Sequence, residues 1–242
     1  MTKHWKKFVV VIAAVAFVVL AGSFIYAKFI NKADDEFDTS DVKDRLTTTI
    51  AESSGDTTGT TPDSDAATEG VDGTWVTAQE SEVGYRIDES INGFDTTANG
   101  RTQAINGVFT IAGTQVATGE FTVDMTTFAS DSSRRDSAFN GRIMDVATFP
   151  TASFVLTQPI DFGEVPADGA TITASATGDL TLRGTTLSVT FNVEATFQSG
   201  RVGVLGQIPI VFADYDIPNP SNASITTEDN GLLEFVLIFD RA

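Results

Sequence analysis

Few residues of this sequence have the chemistry for catalysis. The 242-residue chain contains no cysteine and a single histidine, His4, which lies in the N-terminal tail. Thiolates and imidazoles supply many of the nucleophiles, general bases and zinc ligands of enzymes. The rest of the chain therefore lacks a serine–histidine triad, a thiol nucleophile and a histidine zinc site. Disulfides and a lipid-modified cysteine are excluded as well.

Carboxylates are abundant, but they are scattered through predicted turns and outward strand positions. The chain has 33 acidic and 15 basic residues, and its net charge of −18 disfavours nucleic acid as a partner. A hydrolase of the paired-carboxylate kind needs two converging acids, which this spacing does not indicate. Asp214, Asp216, Glu228 and Asp229 could offer oxygen ligands to Ca²⁺, but their spacing is not that of an EF-hand loop. The sequence predicts a binding protein that is not an enzyme and requires no metal or cofactor.

The N-terminal part reads as a membrane anchor. Residues 1–7 include Lys3, Lys6 and Lys7, and the apolar run 8–27 that follows is long enough to span a hydrocarbon layer of about 30 Å. We predict a cytoplasmic tail over 1–7 and a single transmembrane anchor over 8–30, with the C-terminal part extracytoplasmic. Cleavage of this segment as a signal peptide is the alternative, although the run exceeds the usual ~7–15 apolar residues.

The region 31–72 is rich in Asp, Thr, Ser and Gly and reads as an acidic, flexible stalk. Its few apolar residues, Phe37, Val42, Leu46 and Ile50, predict at most a short amphipathic turn. The stalk would let the following domain stand off the membrane or fold back toward it.

From residue 73 to residue 242 the apolar residues recur with a period of two, which is typical of β-strands. Turn sequences such as Asn92-Gly93 and Arg183-Gly184 separate about eight such runs. The residues of inward parity include Trp75, Val83, Tyr85, Ile87, Ile105, Gly107, Phe109, Ile111, Phe121, Val123, Met125, Phe154, Leu156, Ile172, Ala174, Ala176, Gly178, Leu180, Leu182, Leu187, Val189, Phe191, Val193, Ala195 and Phe197. This pattern predicts one all-β domain.

One short helix interrupts the strands. Residues 130–145 have Ser and Asp residues available as caps and carry Phe139, Ile143 and Met144 at helical spacing. The helix is either a lid or a plain connector. Eight strands with one apolar face form either a closed barrel that can hold a small ligand or a packed two-sheet sandwich. Small inward residues such as Gly107 and Gly178 fit both free volume and close packing, so the pattern leaves these alternatives open.

The segments DGTWVTAQESEVGYRIDE, GRTQAINGVF, GEFTVDMTTFASD, RRDSAFNGRIMDVATFPTASF, GDLTLRGTTLSVTF and GQIPIVFADYDIPNPS occur in this order. With them, the stretch 73–242 resembles the YceI-like family of polyisoprenoid-binding or lipid-binding proteins, especially its actinobacterial type. The resemblance implies an extended, eight-stranded antiparallel, lipocalin-like β-barrel with one short helix near its mouth. It also implies an elongated apolar channel for an isoprenoid, a quinone or another amphiphilic lipid.

The resemblance supplies the candidate ligand-binding residues. Arg135 and Asp136 match the family's arginine–aspartate pair, and Phe139 retains a large apolar side chain. Many family members have a histidine where this chain has Ala138, which removes one possible contact to a head group. The full candidate set is Phe109, Phe121, Arg135, Asp136, Phe139, Ile143, Phe154, Leu156, Phe191, Val193, Phe212, Phe235 and Leu237.

Two functions remain at this stage. The first is a membrane-tethered extracytoplasmic protein that holds a long-chain isoprenoid or similar lipid in its barrel. The second is a cell-surface interaction module with a packed core and no lipid. A homodimer through sheet edges is compatible with both.

Overall fold

The computed structural model describes residues 15, 17–22, 24–25, 33–47 and 71–242. The predicted cytoplasmic tail and most of the predicted anchor, 8–30, lie outside these residues. Within the part of the chain that the structure describes, no helix is both long and apolar enough to cross a membrane. The anchor stays a prediction of the sequence.

Residues 33–47 and 71–242 form an all-β domain with two short helices. The helices are α1, Thr39–Thr47, and α2, Ser133–Ala138, which continues into a π-helical turn, Phe139–Ile143. Two 3₁₀ turns span Met125–Thr127 and Phe212–Tyr215. The strands are β1 Gly73–Thr77, β2 Glu82–Ile91, β3 Phe94–Thr102, β4 Ile105–Ala112, β5 Gln115–Asp124, β6 Thr151–Leu156, β7 Ile160–Asp161, β8 Thr171–Leu182, β9 Thr185–Gln198, β10 Arg201–Val211, β11 Ile225–Thr227 and β12 Asn230–Arg241.

These strands form a closed antiparallel barrel. Eight of them follow the order β1-β4-β5-β6-β8-β9-β10-β12, and pairing of β12 with β1 closes the ring. The predicted all-β class, eight-stranded barrel and short helix are therefore confirmed. A packed sandwich is excluded for the described domain, because the ring has no break between two sheets.

Strands β1 and β4 of the ring are each continued by a further strand. β2 continues β1, and β3 precedes β4, so that β2–β3 pairing extends the β1–β4 pairing into one long hairpin with its turn at Asn92 and Gly93. Residues 78–81 interrupt the first long strand. There the hydroxyl of Ser81 lies 3.0 Å from both the amide nitrogen and the carbonyl oxygen of Ile238, which satisfies the backbone of β12 beside the gap.

Helix α2 closes over one end of the barrel, which we call the helix-bearing end. The β2–β3 turn and the β8–β9 turn lie at the same end. Ser132 caps α2, since its side chain accepts a hydrogen bond from the Arg135 amide. The ring of Phe139 stacks on that of Tyr85 at 4.9 Å, and Arg142 donates to the carbonyl oxygens of Asn219 and Pro220. The π-helical turn after α2 thus joins β2 to the loop after β10.

Residues 33–47 differ from the flexible stalk that the sequence predicts over 31–72. We call these residues the strap, because they lie along the outer wall of the barrel. Their apolar residues Phe37, Val42 and Leu46 are buried in a cluster with Leu205, Val236 and Ile238, which point outward from β10 and β12. The strap is ordered because the outer wall offers it an apolar surface. Residues 48–70 lie outside the described part.

Candidate ligand-binding site

The barrel encloses an apolar cavity of about 300 Å³. Inward side chains of the ring strands form its wall, and almost all of them are aliphatic or aromatic. The lining extends from Thr114 and Val165 at the far end to Ile217 and Pro220 at the helix-bearing end. The cavity is therefore elongated along the barrel, and it lies at the lower end of the ~300–1,000 Å³ that is common for ligand pockets.

Twelve of the thirteen candidate residues lie at the wall of this cavity. Eight of them occupy strand positions whose parity points the side chain inward, while Arg135, Phe139 and Ile143 reach the same interior from the helical segment and Phe212 from a 3₁₀ turn. They are Phe109, Phe121, Arg135, Phe139, Ile143, Phe154, Leu156, Phe191, Val193, Phe212, Phe235 and Leu237. Their contact with a ligand stays a prediction.

Aromatic rings along the wall lie directly against glycines of a neighbouring strand. A Cβ atom at Gly107 would lie 2.1 Å from the ring of Phe121, and one at Gly206 would lie 2.2 Å from the ring of Phe235. Gly178 is related in the same way to Phe154, and Gly100 to Tyr85. Each ring occupies the space of an absent side chain and so lies partly along the wall. These inward glycines serve close packing with the rings, while the interior between the rings stays open.

Arg135 brings a positive charge to the helix-bearing end of the cavity. Its guanidinium pairs with Asp131 on one side, and its Nη2 lies 3.5 Å from Oε1 of Glu89 on β2. Burial by itself would lower the pKa of Arg135, but the charges of Asp131 and Glu89 outweigh it and raise that pKa above its ordinary value. The cation is therefore fixed in place and balanced by two carboxylates.

Asp136 is the candidate residue that lies away from the cavity wall. Its Oδ1 accepts hydrogen bonds from the amide and the hydroxyl of Ser130, at 2.9 and 2.6 Å. These bonds fold the segment before α2 back onto the first turn of the helix. Asp136 thus positions the helix from outside the cavity, whereas Arg135 lies at the cavity wall.

The structure adds Tyr85 to the site. Its ring lies at the cavity wall and packs against the rings of Phe139 and Phe128, with centroid distances of 4.9 and 6.0 Å. Burial raises the pKa of the Tyr85 phenol, and the nearby charge of Arg135 offsets this only in part. The inward parity of Val83, Tyr85 and Ile87 was a usable sequence signal for this residue. The polar hydroxyl of a tyrosine is equally compatible with an outward position, so the residue type alone did not assign Tyr85 to the cavity.

The described residues contain no group of three or more His, Cys, Asp or Glu side chains that could hold a metal ion. Asp229 of the acidic set near the last loop accepts hydrogen bonds from Asn219 at its side chain and from the Phe212 amide at its carbonyl. Asp216 adopts a left-handed backbone conformation that ends the turn Phe212–Tyr215. These two residues thus help to shape the loop.

Comparison with known proteins agrees with this geometry. Residues 75–239 match the model of the YceI-like domain. The fold is similar to that of a polyisoprenoid binding domain from Saccharophagus degradans implicated in plant cell wall breakdown, with a TM-score of 0.59 and 18% identity over 71% of this chain and 99% of that one. It is also similar to BcnA of Burkholderia cenocepacia, with a TM-score of 0.54 and 20% identity over 67% of this chain and 98% of that one.

At these identities the two structures show a shared fold. A comparison with curated proteins finds no match. The domain match covers more than half of the chain and nearly the whole barrel. The chain belongs to the YceI-like family.

Proposed function

We propose that this protein is a membrane-tethered, extracytoplasmic binding protein that holds a long-chain isoprenoid or a similar amphiphilic lipid. The observation that carries the proposal is the elongated apolar cavity inside the closed barrel. Transfer of a buried methylene from water is worth about 0.8 kcal/mol, so an isoprenoid chain can be held by shape and hydrophobicity with few polar contacts. The similar domain from Saccharophagus degradans is described as polyisoprenoid binding.

The polar end of the cavity favours an uncharged head group. Arg135 already faces Asp131 and Glu89, so a diphosphate would have to compete with two carboxylates for one guanidinium. A quinone or an alcohol carries no charge, so it does not compete with these carboxylates for the guanidinium. Ala138, where many relatives have a histidine, adds no polar group at this position.

The membrane tether and the location rest on the sequence. The basic tail over 1–7 and the apolar run over 8–30 support a single-pass anchor with the barrel outside the cytoplasm. A tethered binding protein of this kind would shield a lipid near the membrane from which the lipid comes.

Native mass spectrometry of the purified chain tests lipid binding. We expect a co-purifying lipid of isoprenoid mass, or uptake of a polyprenyl alcohol probe by the delipidated protein, and weaker uptake of the matching polyprenyl diphosphate. Consistent absence of lipid together with no uptake of either probe would contradict the proposal. Such a result would favour the alternative, a surface interaction module whose barrel binds a protein partner.

A further inference from the structure

The strap, residues 33–47, is bound tightly to the barrel by apolar contacts. Val42 and Leu46 share one face of α1 and are almost fully buried. The strand beneath them has Gly203, where a Cβ atom would lie 2.4 Å from Val42 and 3.0 Å from Leu46. The absent side chain at Gly203 lets the helix approach β10 closely. The outer wall is therefore shaped to receive the strap.

A buried carboxylate holds the first part of the strap. Glu234 of β12 points outward but is completely buried, and its Oε1 lies 2.9 Å from Nη2 of Arg101. The amide of Phe37 donates to Oε2 of Glu234 at 3.3 Å, and the Phe37 ring lies 3.8 Å from the Arg101 guanidinium. The strap thus completes the coordination of a charge that would be costly to bury with fewer partners.

The strap extends along the barrel wall away from the helix-bearing end. Its beginning lies near the helix-bearing end, where Asp34 exchanges hydrogen bonds with Asn99 and its carbonyl accepts from Arg86. Its last turn lies farther along the wall, where Arg45 pairs with Glu82 at 2.5 Å. The chain from the N-terminal segment therefore reaches the barrel at the helix-bearing end.

A second contact places the N-terminal segment at this same end. The ring of Phe24, which lies in the predicted anchor, meets the ring of Phe94 edge to face at 5.4 Å. Phe94 begins β3, directly after the β2–β3 turn. Two independent contacts, Phe24 with Phe94 and Asp34 with Asn99, thus bring the chain to the end of the barrel that carries α2 and Arg135.

We infer that the strap is a clamp that holds the helix-bearing end of the barrel toward the lipid bilayer. This inference rests on the proposed membrane tether. With the strap docked, the helix-bearing end of the cavity lies next to the surface from which a lipid would be drawn. The acidic domain gains no attraction to anionic lipids from its net charge, so the clamp sets its orientation.

Energy transfer between the barrel and a vesicle tests the orientation. The full chain, which has no native cysteine, is reconstituted in vesicles that contain an acceptor-labelled lipid. A donor dye is attached at Ser133→Cys, in the exposed first turn of α2, or at Ala167→Cys, in the exposed loop at the opposite end. The two sites are separated by most of a strand of 14 residues at about 3.3 Å each. We expect transfer from Ser133→Cys to be at least about twice that from Ala167→Cys.

Variants of the strap and of the barrel wall beneath it test whether the difference in energy transfer depends on the clamp. Val42→Asp inserts a carboxylate into the buried face of α1. Gly203→Val adds a side chain to the barrel wall beneath α1 and so displaces the strap. Both are expected to abolish the difference between the two dyes. Thr47→Asp adds the same charge at an exposed position of α1 and is expected to leave the difference unchanged.

Equal transfer from both dyes in the unsubstituted chain would overturn the inference, as would a difference that survives both Val42→Asp and Gly203→Val. Near-UV circular dichroism of each variant tests whether the barrel stays folded. Lipid content, measured by mass spectrometry on the same samples, separates the two proposals. Bound lipid with equal transfer rejects only the clamp, whereas unequal transfer without bound lipid rejects only the lipid-binding function.

Discussion

Two adjacent residues of the family pair have different tasks in this chain. Arg135 faces the cavity between Glu89 and Asp131, while Asp136 turns away and bonds to Ser130. The sequence identifies the pair but not this division, because successive residues of a helix point about 100° apart and the position of the cavity decides which one faces it. Substitution of Arg135 should therefore affect the cavity, whereas substitution of Asp136 should affect the stability of the fold.

Asp136→Ala tests the supporting role. Loss of the two hydrogen bonds to Ser130 should lower the free energy of unfolding by about 1–3 kcal/mol, because the Ser130 donors are partly buried and lose their acceptor. Urea unfolding measures the change. Glu120→Ala, which removes an exposed carboxylate from the outer face of β5, is the control and should stay within about 0.5 kcal/mol. Equal effects of the two substitutions would contradict the assignment.

Tyr85 predicts sensitivity to alkaline pH. Burial raises its pKa in the folded protein, so the folded state binds this proton more tightly than the unfolded state. The stabilisation is complete below the ordinary tyrosine pKa of about 10 and is lost as the pH rises above that value. Between residues 33 and 242 the sequence has one lysine, Lys43, and one other tyrosine, Tyr215.

Urea midpoints of residues 33–242 at pH 8 and at pH 11 measure this loss. Tyr85→Phe should remove most of the difference between the two midpoints. Tyr215→Phe is the matched control, because the pKa of Tyr215 is also raised by burial but by less. A midpoint difference that persists in Tyr85→Phe would assign the alkaline loss to other groups.

At the scale of elements, the pairing of rings with glycines controls the width of the channel. Gly107→Ala should push the ring of Phe121 from the wall, since the new Cβ would lie 2.1 Å from it. Gly119→Ala, one strand away, is the control, because its Cβ would meet Phe109, Phe121 and Leu156 at ordinary contact distances of 3.5–3.7 Å. We expect probe uptake to fall severalfold in Gly107→Ala and to change little in Gly119→Ala. Equal uptake would show that the rings do not limit the channel.

The strands were predictable because the period-two pattern runs through the whole barrel. The closure of the ring was not, since an alternating strand looks the same in a barrel and in a sandwich. The strap was missed for a different reason. Val236 and Ile238 are apolar on the outward parity of β12, and Leu205 is apolar on that of β10, which signals an external partner. The sequence gives no means of matching that patch to Phe37, Val42 and Leu46 across about 160–200 residues of chain.

At the scale of the whole molecule, the barrel is covered on two sides by elements of different kind. Helix α2 and the π-helical turn after it lie over one end of the interior, and the strap packs on the outer wall. β12 lies between them: Phe235 and Leu237 face the cavity, while Val236 and Ile238 face the strap. This explains why β12 is an almost continuous apolar run. The same strand is thus part of both the wall of the apolar cavity and the surface that the strap covers.

A ligand that occupies the interior should stabilise the whole barrel. Binding to the folded state alone adds about 2.7 kcal/mol when the free ligand is at 100 times its Kd, which for a domain of this size corresponds to roughly 5–10 °C in Tm. We expect a polyprenyl alcohol to raise the Tm of the delipidated protein in a concentration-dependent manner. Differential scanning calorimetry measures the shift.

Ala176→Leu tests whether the cavity is the origin of that shift. Ala176 lies at the cavity wall and is almost completely buried, so a leucine there takes volume from the ligand. Ser175→Leu adds the same side chain to the exposed outer face of the same strand and serves as the control. The lipid-dependent rise in Tm should be strongly reduced in Ala176→Leu and retained in Ser175→Leu. If both variants kept the full rise, the lipid would bind outside the barrel, and the elongated cavity would not be its site.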